Sequence, residues 1–238
     1  TSGGKSKKYG IKDLYVSNFS DHLKSDLHIN VFEPQVTPPY SVKYEYELNY
    51  RNGYNDFPLY APVQEYNVKL FDSEYRLSVP PDCEIDWHTC NLGDPEVENG
   101  DKAVSYIWKI KEFAPLKQEQ FSPPLRDLVP MVYAKPKYFS YGGYDGCQTD
   151  WENLGEWHSR LNEGLDTISV ELLQKVKAMT DTCGSDYSKA EVLYNYLGKN
   201  TRYVSIQLGL GGLKPFSVEA VSQTGFGDCK ALSVYMQA

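Results

Sequence analysis

The run Val42-Lys43-Tyr44-Glu45-Tyr46-Glu47-Leu48-Asn49-Tyr50 alternates an apolar or aromatic residue with a polar one at every step. Side chains that repeat every two residues belong to extended chain, so the run predicts a strand that covers a core on one face only, as antiparallel sheets do. Tyr66, Val68 and Leu70 repeat the pattern, as do Tyr75, Leu77 and Val79, then Val104, Tyr106, Trp108 and Ile110; Leu27, Ile29 and Val31 are a weaker case. Pro80 with Pro81, and Asn99 with Gly100, punctuate these strands, because proline lacks a ladder donor and Asn-Gly favours a tight turn. A β-sandwich-like domain over residues 1–145 is the natural packing for such a set.

From Phe113 to Pro136 the spacing of prolines excludes regular helix. The stretch reads as an extended connector laid over the sandwich edge, since its Leu, Val and Met side chains need burial. After Gly142, Gly143 and Gly146 the period becomes helical, which gives an α+β chain with a helical lobe over residues 146–238. Thr149 and Glu152 form a capping box ahead of Trp151, Leu154, Trp157, His158 and Leu161. Ile168, Leu172, Val176 and Met179 mark a second helix. A third opens at Ser188, with Glu191 as its box partner, Tyr187 stapled to Val192, and Ala190, Leu193, Tyr194 and Leu197 on its buried side. Arg202 to Ile206 reads as a short strand and Gly209 to Pro215 as a loop.

The chemistry-bearing segment is Gly225-Phe226-Gly227-Asp228-Cys229-Lys230. Two glycines let the chain turn and leave room beside a sulfur at the first turn of the helix that follows. Unpaired N–H groups and the positive end of the helix macrodipole there favour thiolate over thiol, and the Cys229 N–H can donate to a developing oxyanion. The plainer reading is a small cysteine that merely begins a helix. Asp228 reads as the cap of that helix; its charge opposes the thiolate, and Lys230 either offsets it or is simply solvated.

Composition bounds the partners. With 238 residues, 41% of them hydrophobic, the chain can bury one large core or two modest ones. A net charge of −8 with mixed signs argues against nucleic acid. No apolar run of about 18 residues suggests a membrane span. Among five cysteines, Cys83 and Cys90 suit a disulfide first, two reduced thiols second, and a zinc site drawing on Asp82, Asp86 and His88 third.

Tyr203 to Gly209, the loop to Pro215 and Phe216, and Gly225 to Lys230 together resemble the first part of the transglutaminase-like core of papain-type cysteine enzymes. Upstream, the Pro115 to Tyr133 stretch and the Gly142-Gly143-Tyr144 turn before Trp151 resemble the uncharacterised β-rich domain that precedes this core in bacterial envelope proteins. The resemblance implies a periplasmic or envelope protein, a Cys229 nucleophile acting on a protein or peptide substrate by amide hydrolysis or acyl transfer, and no cofactor. It also implies Gln207 as a second oxyanion donor; the alternative is a strand-end amide that caps a backbone group. The family's histidine and aspartate follow the cysteine, whereas His22, His28, His88 and His158 all precede it. The chain therefore reads as part of a site, with a C-terminal remainder expected to pack on Leu232, Tyr235 and Met236. His158, beside Trp157 on an apolar helix face, reads as structural rather than as the base. A second function fits the tyrosines: a protein- or glycan-binding module whose cysteine lobe is catalytically idle.

Overall fold

A computed structural model describes residues 7–18, 23–25, 28–33, 37, 39–50 and 53–238. The chain is α+β and divides into two compact units, Tyr50–Trp157 and Thr1–Asn49 with His158–Ala238. In the latter, β1 (Tyr15–Asn18) pairs antiparallel with β3 (His28–Val31), while β2 (Leu23–Ser25) runs parallel to residues 205–207. That pairing ties the first 49 residues to the second half of the chain. Leu27, part of the weaker predicted strand, lies outside the described residues.

The strand predicted over residues 42–50 is not formed. Tyr44, Tyr46, Leu48 and Tyr50 are 64% to 84% exposed, and residues 40–50 belong to no strand. Alternation supplies two faces, but a strand also needs a neighbouring edge for its N–H and C=O groups. Here the polar face pairs locally instead, Lys43 with Glu45 at 2.7 Å and Asn49 with Glu47 at 3.2 Å.

In the unit Tyr50–Trp157, β4 (Gly53–Tyr54) precedes the long β5 (Leu70–Val79), then come β6 (Ile85–Cys90), β7 (Glu96–Asn99) and β8 (Val104–Phe113). β8 is the central strand of the sheet β5-β8-β7, antiparallel throughout. A second sheet pairs β6 antiparallel with β9 (Met131–Pro136). Leu77, Val79, Trp108 and Ile110 from the first sheet and Ile85, Val132 and Ala134 from the second close on one core with Tyr60. The alternation predicted for β5 and β8 is realised, their apolar faces packing against residues of the β6–β9 sheet. At roughly 1.5–3 kcal/mol for each large apolar side chain fully buried, this core dominates the unit's stability. Tyr66 and Val68 fall short of β5, in a turn where Asn67 takes φ 63° and donates its N–H to Leu116 O at 2.8 Å.

The proline-spaced stretch is only partly a connector. Val129 and Met131 are buried as expected, but β9 is a paired strand. Pro130 stands just ahead of it and Pro136 at its last position, the places where proline costs a strand least. β10 (Tyr138–Tyr141) and β11 (Tyr144–Cys147) form a hairpin around Gly142 and Gly143, whose φ values of 60° and 84° suit a turn that favours glycine.

α1 (Trp151–Asn162) is capped by Asp150, not Thr149: Asp150 Oδ1 accepts the Asn153 N–H at 2.8 Å, and bonds from Asn153 hold its carboxyl below the usual range. Trp157 and Leu161 turn inward, whereas Trp151 is 87% exposed and His158 is exposed too. α2 (Val170–Thr180) starts at Ser169, whose hydroxyl accepts the Leu172 N–H. α3 (Asp186–Asn200) starts earlier than predicted, because Ser185 and Ser188 cap each other reciprocally. Tyr187 is exposed rather than stapled, and the half-buried residues are Val192, Leu193, Tyr196 and Leu197; Ala190 and Tyr194 are exposed. β12 (Arg202–Tyr203) and β13 (Ser205–Gln207) follow, then α4 (Val218–Thr224), β14 (Phe226–Gly227) and α5 (Cys229–Gln237).

Candidate active site

α4 sets up the turn that delivers the cysteine. Ser217 caps its start by accepting the Ala220 N–H at 3.2 Å, and Gly225 ends it in the left-handed region at φ 67°, donating its N–H to Val221 O at 2.9 Å. β14 then runs parallel to β12: Arg202 N–H donates to Gly225 O at 2.9 Å and Val204 N–H to Gly227 O at 3.0 Å. The two glycines thus do different work. Gly225 makes the turn predicted of both; Gly227, buried in β14, admits α5, since a Cβ there would lie 3.0 Å from Ala231 Cβ.

Asp228 is the cap predicted from sequence. Its backbone is extended and its Oδ1 accepts the Ala231 N–H at 3.0 Å. The side chain is 4% exposed by residue, and Oδ2 accepts from the Lys230 ammonium. Lys230 is therefore paired and half-buried rather than solvated. Cys229 occupies the first position of α5 and is exposed, as is Ser233 one turn later, while Ala231 is fully buried. First-turn N–H groups such as those of Cys229 and Lys230 have no acceptor within their own helix.

A small open cleft adjoins this helix start, lined by Ile206, Gly211, Lys214, Phe216 and Asp228. The cleft brings together the end of β13, the short 3-10 turn Gly209–Gly212 and the α5 cap. Gln207 follows Ile206 and Cys229 follows Asp228 in sequence, but neither of the two lines the cleft itself. Gln207 is half-buried and its Oε1 faces the glycine turn, 3.3 Å from where a Cβ on Gly212 would sit.

On its packed side α5 meets α4 and α3. Leu232, Tyr235 and Met236 are half-buried. The Tyr235 hydroxyl is hydrogen-bonded to Tyr196 and Ser222; burial first, then the bond to Tyr196, pushes its pKa up, and the bond to Ser222 opposes them. Tyr196 in turn accepts from Lys175 Nζ at 2.8 Å, so one polar chain links all four helices from α2 to α5. Neither this network nor α4 was foreseen, although Ser217 before Val218 and Gly225 after Thr224 are start and stop signals.

Among the described residues no imidazole is hydrogen-bonded to Cys229. His158 points outward and contacts Asn162, its Nδ1 3.3 Å from Asn162 Nδ2. His88 lies on β6 opposite Tyr133; His22 is outside the described residues. The disulfide placed first from sequence is absent, for Cys83 and Cys90 are both free. Between them β6 rises about 3.3 Å per residue, which carries Cys90 about 16 Å from Ile85 and far beyond bridging reach. The same extension separates Asp86, His88 and Cys90 along one face, and among the described residues no group of three or more His, Cys, Asp or Glu side chains gathers for a metal. No described helix is long and apolar enough to cross a membrane.

No protein-family model matches the chain, and no curated protein matches it at the threshold of significance. Among solved structures, the crystal structure of a "putative protease" from Parabacteroides distasonis ATCC 8503 is similar with a TM-score of 0.47 and 14% identity. The match covers 78% of this chain and 34% of that one, so this chain spans about a third of its length.

Proposed function

We propose that Cys229 is the nucleophile of a cysteine enzyme that acts on the amide bonds of a protein or peptide, by hydrolysis or acyl transfer, in the bacterial envelope. The observation that carries this reading is an exposed thiol at the first position of α5, among first-turn N–H donors. The sulfur attacks the carbonyl carbon, the carbonyl oxygen takes the charge, and the first-turn N–H groups, with Gln207 from the neighbouring strand, receive it. Collapse expels the amine and leaves a thioester, which water or a second amine resolves. The proton transfers need a base, for which the resemblance implies a histidine oriented by an aspartate. Asp228 is engaged as a cap and ion-pair partner and takes no part in that transfer. A peptidyl vinyl sulfone tests the reading: it should label Cys229 and no other cysteine, and Cys229→Ala should abolish labelling. Labelling spread evenly over the five cysteines would refute it.

A second reading, a protein- or glycan-binding module with an idle cysteine lobe, is favoured by one observation: Tyr44, Tyr46 and Tyr50 stand in solvent rather than in a core. Pull-down with and without Tyr44→Ser and Tyr46→Ser separates the two, since the enzyme reading predicts no dependence of vinyl sulfone labelling on either.

A further inference from the structure

The sheet β5-β8-β7 ends on β5, and among the described residues no strand pairs with the outer edge of β5. Its ten residues, Leu70–Val79, leave about 33 Å of edge whose outward N–H and C=O groups have no strand partner. The other sheet edges of this unit are shorter or occupied. β7 has four residues, two of them glutamates, and β6 has six, while the free side of β9 exchanges backbone bonds with Phe57 and Tyr60. Residues 42–50 present the reverse: they span about 30 Å when extended and carry strand alternation with no edge to pair with. Val42, Tyr44, Tyr46, Leu48 and Tyr50 are 39% to 84% exposed.

We propose that the β5 edge is an interface for a second copy of this chain, and that residues 42–50 of one molecule add to β5 of the other as a fourth strand. Nothing in this pairing involves Cys229. β5 pairs antiparallel with β8, and the same sense for the added strand, with its apolar residues kept on the core side, leaves few registers. Tyr46 opposite Leu77 sets Leu48 against Tyr75 and Tyr44 against Val79, which continues the apolar face that closes on the core. Tyr50 then falls opposite Ser73 and diagonal to Phe71, which is 69% exposed near the start of β5. On the solvent face Glu47 meets Arg76, Asn49 meets Glu74 and Glu45 meets Ser78, so no like charges are opposed. Arg76 holds Glu74 and Glu98 through two of its nitrogens and keeps N–H donors for a third carboxylate. A slide of two residues one way opposes Glu47 to Glu74; the other way it runs Glu45 onto Pro80, which has no N–H, and shortens the ladder. Each chain giving its segment to the other closes the pair at two copies.

The test uses the full chain. Glu45→Cys and Ser78→Cys are made in separate molecules, mixed and oxidised, and the linked peptides are read by mass. A disulfide between positions 45 and 78 should form at least about tenfold more than one between 45 and 72 in a mixture of Glu45→Cys with Asp72→Cys, which lies six residues away along the edge. In sedimentation velocity under reducing conditions the wild-type chain should be a dimer at about 50 µM. Glu47→Lys, which opposes a lysine to Arg76, should raise the dissociation constant about fivefold, and Tyr46→Ser about tenfold. Glu47 and Tyr46 are both exposed in the single chain, so neither change should alter its circular dichroism. A wild-type chain that sediments as a monomer at that concentration overturns the interface. So does a 45–78 linkage that forms only inside single molecules of the Glu45→Cys, Ser78→Cys double variant. Sedimentation unmoved by Tyr46→Ser, with retention on glycan lost instead, overturns it in favour of the binding module.

Discussion

Gly225 and Gly227 make opposite predictions although only Phe226 separates them. A Cβ on Gly227 would sit 3.0 Å from Ala231 Cβ and 3.3 Å from Leu232 Cδ2, inside the roughly 3.5–4.0 Å optimum for carbon atoms. Ala231 Cβ has no torsion that moves it, so Gly227→Ala must displace the first turn of α5. Overpacking of this kind costs about 1–3 kcal/mol, and loss of glycine's freedom in the unfolded chain returns about 0.4–1 kcal/mol. The net expectation is destabilisation by about 1–2 kcal/mol. Asparagine at 227, being larger, should do worse than alanine. At Gly225 the order reverses, because φ is 67° and asparagine tolerates the left-handed region. Gly225→Ala should cost about 1–2 kcal/mol and Gly225→Asn less. Urea unfolding followed by circular dichroism gives all four values. Adding Leu232→Ala to Gly227→Ala removes one of the two crowding side chains and should show about 0.5–1 kcal/mol of favourable coupling. A Gly227→Ala protein as stable as wild type, or one in which asparagine at 227 is the better tolerated, would refute the packing of α5 on β14.

Further outcomes follow from the unit Tyr50–Trp157 and from the thiols. A Cβ on Gly146 would enter the Phe139 ring, 2.3 Å from its nearest atom, so Gly146→Ala should destabilise the hairpin by about 1–3 kcal/mol, and Phe139→Leu should relieve part of that in a urea double-mutant cycle. Burial raises the Asp56 carboxyl, against the opposing bond from the Phe57 N–H and the charge of Lys135. Its folded form thus holds a proton more tightly than the unfolded chain, and the resulting penalty is fully present at neutral pH and lifts as pH falls through the carboxylate range. Asp56→Asn should therefore raise the melting temperature at pH 7 and lose that advantage toward pH 4. Thiol titration of the unreduced, denatured protein should find all five cysteines free; a count of three would restore a bridge.

What the sequence revealed was local. The alternation of Val104, Tyr106, Trp108 and Ile110 and that of Tyr75, Leu77 and Val79 are realised because β5 and β8 are adjacent and their apolar faces meet one core. The start of α5 was equally legible, since a cap and the residue after it are fixed by neighbours three positions away. Residues 42–50 carry a cleaner alternation than either strand and remain unpaired, because a partner edge is a non-local property that no period encodes. β6 was missed for the converse reason: Asp86, His88 and Cys90 give one of its faces no regular polarity, and its place is set by pairing with β9. Prolines at the rim of β9 masked that strand. At the site, Cys229 and Asp228 were found from the glycine-rich turn, whereas the closure of Lys230 onto Asp228 depends on burial, and the contribution of α4 on a cap too brief to stand out.

The central claim is that Cys229 is held as a reactive nucleophile. Competitive alkylation of the native chain by iodoacetamide at pH 7, with each cysteine peptide quantified by mass, measures it directly. Cys229 should react at least about tenfold faster than Cys147 and Cys183, which are half-buried and stand outside any helix. A rate for Cys229 equal to or below theirs would contradict the account.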